Sequence, residues 1–405
     1  MRRAAAGRAA EAVRCAGRRV LAGGLALAFA AGGCIEDADG DGAQTWVWEL
    51  PEGFPEPSVP GDNQMSAAKV ELGRRLFWDT RLSGNVTQSC ASCHDPALAF
   101  TDGLVVSVGS TGQATPRNSM SLTNVAYNST LTWAHDELLA LEDQIPIPMF
   151  GTVPVELGIT GAEDEILARL AADADYPAMF AAAFPEDPGE IDFDRVVKAL
   201  SAFLRTMISG GSAYDRFAYQ GDADALSDAQ IRGLNLFFSE QLECFHCHGG
   251  FNFTQSTTHG GSGVLEKPFH NTGLYNVDGA GGYPASDPGL FAVTGDPADM
   301  GKFRAPTLRN IAVTAPYMHD GSIATLEAVV RTYAAGGRVI ADGPNAGDGR
   351  LNPHKSGFIG GFTLTDEEIA GVVAFLESLT DEAFLADPRF ADPFLELPVD
   401  PRPLP

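Results

Sequence analysis

Cys90-Ala91-Ser92-Cys93-His94 and, 154 residues later, Cys244-Phe245-His246-Cys247-His248 are the stretches that decide what this chain builds. Each is a Cys-x-x-Cys-His pentad. In an exported protein that spacing attaches a c-type haem: two thioethers fix the porphyrin, and the following His supplies an axial nitrogen to iron. Zinc is the competing use of paired cysteines, but it does not call for a His directly after each pair. Cys90, Cys93, Cys244 and Cys247 therefore read as attachment cysteines, and His94 and His248 as iron ligands. Two covalently bound haem c groups are expected.

The start of the chain supports export. Residues 1–33 carry six arginines and a short apolar run, 20–31, too short to span a bilayer. They read as a signal peptide. The run closes on Ala31-Gly32-Gly33-Cys34, small residues before a Cys, which resembles a bacterial lipoprotein cleavage site; ordinary secretion with cleavage nearby is the alternative. The expectation is a protein on the periplasmic side, lipid-anchored at Cys34, with no other membrane contact. Cys15 leaves with the signal, so no cysteine pair remains for a disulfide. Removing residues 1–33 takes six Arg and one Glu from 27 basic and 53 acidic residues, which leaves a net charge of −31. Such a charge argues against nucleic acid and anionic lipid as partners.

Residues 34–60 are acidic, then Pro-rich, and read as a tether. The body that follows contains a faint internal repeat. Ser66 to Phe77 precedes the first pentad and Ser227 to Phe237 the second; each opens on a Ser N-cap and ends in Gly-x-x-Leu-Phe. Further helices are expected at 164–172, 192–209, 325–335 and 365–379, with long Gly/Pro segments between them, notably 249–306. The fold class expected is mainly α: two cytochrome c-like haem domains, 61–215 and 216–385, joined by long Gly/Pro-rich loops, with a Pro-rich tail at 386–405.

Phe303-Arg304-Ala305-Pro306-Thr307-Leu308-Arg309-Asn310, followed by Thr314-Ala315-Pro316-Tyr317-Met318-His319-Asp320-Gly321, resembles the bacterial di-haem cytochrome c peroxidase superfamily and its MauG-type relatives. The segments 50–55, 79–85 and 117–122 are similar to the MbnH branch. That branch's studied member uses peroxide to oxidise a tryptophan of a copper-binding partner, MbnP, to kynurenine.

The resemblance implies roles that the residues alone do not. No histidine lies between His94 and His135, where peroxidases needing prior reduction carry a distal His, so the first iron is expected to be open to peroxide. The segment 141–157 matches the family's distal loop: Glu156 as acid/base carboxylate, Gln144 as distal hydrogen-bonding group, Pro148 shaping the pocket. Trp133 matches the tryptophan between the haems. Tyr333, 19 residues after Thr314, stands where electron-accepting peroxidases have a Met ligand and MauG-type enzymes a Tyr. A phenolate is a hard anionic donor that favours high-valent iron, whereas thioether sulfur favours Fe(II). Met318 and Met300 are rival ligands, off the ligand offset. Calcium between the haems is implied at Asn118 with the carbonyls of Thr314 and Pro316. Without the resemblance, Glu156 reads as a surface carboxylate and Trp133 and Tyr333 as core aromatics.

Three functions fit these residues. The first is a peroxide-dependent oxidase that forms a paired high-valent haem state and oxidises a tryptophan of an MbnP-like partner protein by long-range electron transfer. The second is a di-haem peroxidase reducing hydrogen peroxide with electrons from a small c-type cytochrome. The third is a non-catalytic di-haem electron carrier.

Overall fold

A computed structural model describes residues 46–395. The signal peptide at 1–33, Cys34 with its expected lipid, the tether up to residue 45 and the last ten residues lie outside the described residues.

Eight helices of seven residues or more are present among them: α1 (Ala67–Trp78), α2 (Glu163–Ala171), α3 (Tyr176–Ala183), α4 (Phe193–Arg205), α5 (Ala213–Tyr219), α6 (Asp228–Phe237), α7 (Leu326–Ala334) and α8 (Asp366–Glu377). The described strand content is one two-residue antiparallel pair, Val339–Ile340 with Gly347–Asp348. The chain is mainly helical.

Caps set the helix starts. The Ser66 side chain accepts from Lys69 N, and Ser227/Gln230 and Thr365/Glu368 form reciprocal capping boxes. The helix expected to reach residue 209 stops at Arg205. Beyond it the backbone is taken elsewhere: Ser209 N donates to Asn124 Oδ1, and Gly210 N and Gly211 N donate to the buried Asp381 carboxylate. Helices α3 and α5 were not expected from periodicity.

The repeated glycine is the point where helices cross. A Cβ on Gly73 of α1 would lie 2.0 Å from the Ala199 carbonyl oxygen of α4; one on Gly233 of α6 would lie 1.9 Å from the Gly371 oxygen of α8. The Phe four residues on then enters the core in both places. Phe77 meets Phe203 at 5.4 Å and Phe237 meets Phe375 at 5.1 Å between ring centroids. Two hydrophobic clusters result, one built on α1, α3 and α4, the other on α6, α7 and α8. Each such side chain contributes about 1.5–3 kcal/mol by burial.

The clusters are tied together by polar contacts. Arg117 makes a two-pronged pair with Asp287, at 2.7 and 2.9 Å, and Asn124 Nδ2 donates to Asn252 Oδ1 at 3.0 Å. The start of the Pro-rich tail returns to the first cluster: Phe390 is buried against Phe100 and Phe203, and its carbonyl accepts from Trp78 Nε1 at 3.1 Å.

Gly233→Ala gains about 1 kcal/mol in helix propensity but drives a methyl into backbone. The crossing must open, and overpacking wins: the expected outcome is a net loss of about 1–3 kcal/mol in denaturant unfolding. Gly263→Ala, where an added Cβ meets nothing within 4 Å, is expected to stay within about 0.5 kcal/mol of the parent. Equal effects at the two sites would contradict the close crossing.

Candidate functional site

Each pentad folds as a single helical turn, Cys90–Ser92 and Cys244–His246. The turns close through His94 N to Cys90 O at 3.1 Å and His248 N to Cys244 O at 2.9 Å. His94 Nδ1 then lies 2.8 Å from the Phe100 carbonyl, and His248 Nδ1 lies 3.2 Å from the Phe253 carbonyl. A carbonyl can only accept, so Nδ1 carries the proton and Nε2 keeps its lone pair. Both accepting carbonyls belong to fully buried phenylalanines in the left-handed backbone region, Phe100 at φ 63 and Phe253 at φ 48. For a bulky residue that costs on the order of 1–3 kcal/mol, offset by burial of the rings. Met120 and Pro306 bring a second carbonyl to His94 and His248 respectively.

Burial sets the charge states. It pushes His94 down and His248 down to about 4, so both imidazoles are neutral. It pushes Cys90 and Cys244 up to about 12, and Cys93 and Cys247 up to about 11. None of the four is in a disulfide. Two thiol pairs, each beside a neutral imidazole with a free Nε2, form the donor set that c-type haem requires.

A cavity of about 470 Å³ opens on the second pentad. Cys244, Cys247 and His248 line it, and Tyr333 enters it from the last turn of α7. Tyr333 retains some accessible surface, but that surface faces the cavity, and burial pushes its phenol well above the usual range. A phenolate there needs a bound cation. Met318 lines the same cavity, whereas Met300 packs against the second cluster. His246 points elsewhere, stacked on Phe358 at 4.3 Å with Nε2 2.6 Å from Glu243.

Trp133, Asn118, Thr314 and Pro316 meet at this cavity too. Trp133 Nε1 donates to the Asn118 carbonyl at 2.8 Å. The Asn118 side-chain nitrogen donates to Leu104 O at 2.7 Å, and among the described residues its Oδ1 accepts no hydrogen bond. Among the described residues the carbonyls of Thr314 and Pro316 accept no hydrogen bond. Neutral oxygens left free in this way suit a hard cation.

Glu156 belongs to the first pentad, and both Cys90 and Cys93 feel its charge. Burial, with no basic partner, raises its pKa above the ordinary carboxylate value. Leu157 N donates to Pro148 O at 3.0 Å, which brings Pro148 beside the segment that carries Glu156. Gln144 ends the helical turn Leu141–Gln144 and, among the described residues, makes no side-chain hydrogen bond. No contact ties it to Glu156. That turn is braced by Glu142, which takes both nitrogens of the buried Arg205 at 2.8 and 2.6 Å and Asn63 Nδ2 at 2.6 Å.

One cavity residue escaped the sequence reading. Arg304 is 3% exposed; Nε donates to Thr132 O at 3.1 Å, while Nη1 has no partner. Burial without a nearby carboxylate pushes it down to about 10. The available signal was a longer repeat. Met120 to Asn124 parallels Pro306 to Asn310: both segments supply the second carbonyl, and both end on an asparagine at φ 57 or 59 that starts a helical turn. In that register Arg304 corresponds to Asn118.

Comparison with known proteins places this geometry. The profile described as di-haem cytochrome c peroxidase matches residues 67–224. The cytochrome-c peroxidase IdrP1 of Denitromonas iodatirespirans is 34% identical over 87% of this chain and 90% of its own. The chain belongs to the di-haem cytochrome c peroxidase family. Membership implies two c-type haems, and makes the protein a peroxidase-related di-haem oxidoreductase that acts with hydrogen peroxide. The methylamine utilization protein MauG of Methylorubrum extorquens is 33% identical over 82% of this chain and 83% of its own. The crystal structure of a MauG-like protein associated with microbial copper homeostasis is 54% identical, covers 86% of this chain and 100% of that one, and superposes with a TM-score of 0.85. Among the described residues no helix is long and apolar enough to cross a membrane.

The Glu142–Arg205 pair tests how firmly this family member holds its loop at 141–157. Burial opposes ionisation of Glu142, but its bonds to Arg205 and Asn63 outweigh that and hold its pKa below the ordinary value. The pair therefore stabilises fully above the unfolded carboxylate pKa and is lost as pH falls through the folded one. Glu142→Ala leaves Arg205 buried and unpaired; a loss of about 3–5 kcal/mol at neutral pH is expected in thermal unfolding. Replacing Arg205 by Met in the same chain should recover part of it. A neutral single variant would show that the pair does not brace the loop.

Proposed function

We propose that residues 61–215 and 216–385 are two cytochrome c-like haem domains joined by Gly/Pro-rich loops, with unequal roles. His94 would hold the haem whose iron reacts with peroxide, and His248 together with Tyr333 would hold the second. The observation that carries this reading is the buried phenol of Tyr333 facing the same cavity as Cys244, Cys247 and His248. A phenolate ligand disfavours electron uptake from a cytochrome and favours storing oxidising power.

Haem, when bound, supplies the iron that accepts oxidising equivalents from peroxide. Glu156, its carboxyl kept basic by burial, takes a proton from one peroxide oxygen and returns it to the departing one. Gln144 hydrogen-bonds over the open face and Pro148 limits its width. Trp133, fixed through Nε1 to Asn118 O, splits electron transfer between the haems into two shorter steps. Asn118, Thr314 and Pro316 would hold a calcium ion there through their oxygens, stiffening that region.

The two electrons come from a tryptophan of a partner protein, a copper-binding protein of the MbnP kind, reached by long-range transfer. The 54% identity to a MauG-like protein associated with copper homeostasis supports that choice. The protein works on the periplasmic side, held by a lipid on Cys34. The second reading, a peroxidase fed by a small cytochrome, draws support from Met318 in the same cavity.

Stoichiometric peroxide added to the diferric protein without reductant separates these readings. A long-lived near-infrared band, lost in Tyr333→Met, is expected. A requirement for prior one-electron reduction would favour the cytochrome-fed peroxidase, and no reaction would favour a plain electron carrier. The rate of the peroxide step should rise with pH through a pKa above the ordinary carboxylate value, because Glu156 must be ionised to take the proton. Glu156→Gln should remove that limb and slow the step roughly 100- to 10,000-fold; an unchanged pH profile would assign the base elsewhere.

A further inference from the structure

The side chain of Arg304 is buried, charged and only half satisfied. It is 3% exposed, and no Asp or Glu lies within ion-pair distance among the described residues. Its Nε bonds the Thr132 carbonyl at 3.1 Å, and its own backbone N–H bonds the Trp133 carbonyl at 2.8 Å. The nearest acceptor to Nη2 is the weakly accepting Met120 Sδ at 3.5 Å, and Nη1 has none. The other two buried arginines provide the contrast: Arg205 pairs with Glu142. Arg309, five residues beyond Arg304, gives both terminal nitrogens to Asp215 at 2.8 and 2.9 Å.

Leaving a guanidinium buried and unpaired costs several kcal/mol. No carboxylate of the described residues relieves it, which leaves its free nitrogen to an anion that enters the cavity. Arg304 lines the cavity of the second pentad, with Cys244, Cys247 and His248. A c-type haem attached there brings two carboxylates, and a planar fork with a free nitrogen is the side chain best shaped to pair one of them.

We infer that Arg304 is the haem-carboxylate clamp of the second haem and, through its bonds to Thr132 and Trp133, fixes Trp133 to that haem's edge. Arg304 is a positioning residue. In the repeat it occupies the place of Asn118, so the two halves meet the shared cavity with a charged donor on one side and an amide on the other. The inference needs a haem on His248 and is independent of the peroxide chemistry and of the partner.

Potentiometric titration of the diferric holoprotein, with the two haems resolved by their optical and magnetic spectra, tests it. In Arg304→Met and Arg304→Gln the midpoint potential of the His248 haem should fall while that of the His94 haem stays put, because a positive charge beside the carboxylate has been removed. Arg304→Lys should restore most of the shift. Unmoved potentials with both haems attached would overturn the inference, as would a shift confined to the His94 haem. If the neutral variants do not accumulate, isotope-edited infrared difference spectra of the wild-type protein decide it. With labelled arginine, guanidinium bands should respond to reduction of the His248 haem, and silent bands would overturn the assignment.

Discussion

Each pentad histidine is held by the carbonyl of a buried phenylalanine whose backbone is turned into the left-handed region. That bond fixes the tautomer, leaves Nε2 free and sets the direction in which a metal can be met. It holds because the ring behind it is locked into a core: Phe100 against Phe77 and Phe390, Phe253 against Tyr214 and Phe237. Those cores exist because α1 and α6 cross their partners at a glycine. Helix packing, backbone strain and ligand geometry thus form one chain of cause in each half of the molecule.

The two halves share this scaffold but are finished differently. Around the first pentad the added group is Glu156, a half-buried carboxyl with its pKa raised by desolvation. Around the second they are a phenol and a guanidinium, Tyr333 and Arg304, each buried without an opposite charge. A carboxyl whose pKa is raised by burial suits proton movement, while a phenol and a guanidinium suit holding a metal and its anionic macrocycle. Trp133 is held between Asn118, whose carbonyl accepts from its Nε1, and Arg304, whose backbone N–H donates to its carbonyl. The proposed division between a peroxide-facing haem and a charge-storing haem follows from that difference in chemistry.

Much of this was legible from the chain. The pentads name the attachment residues outright, since their spacing is the chemistry. The caps at Ser66, Ser227 and Thr365 mark helix starts because a side-chain acceptor must precede the first unpaired N–H groups. The Gly-x-x-Leu-Phe repeat was visible, yet its meaning as a crossing point required the partner helix. Residues 206–209 and Arg304 were not legible for the same reason: their surroundings come from residues 124, 132, 133 and 381, far along the sequence. Gln144 shows the opposite limit, since a motif match gave it a role that no contact in the fold yet supports.

The proposed inequality of the two haems is open to direct measurement. Electron paramagnetic resonance of the resting diferric protein should show one high-spin signal, from an iron with an open face at His94, beside one low-spin signal, from a six-coordinate iron at His248. In Tyr333→Phe the low-spin signal should be lost and the high-spin signal kept. Two low-spin signals in the wild-type protein, or a low-spin signal indifferent to Tyr333, would contradict that inequality.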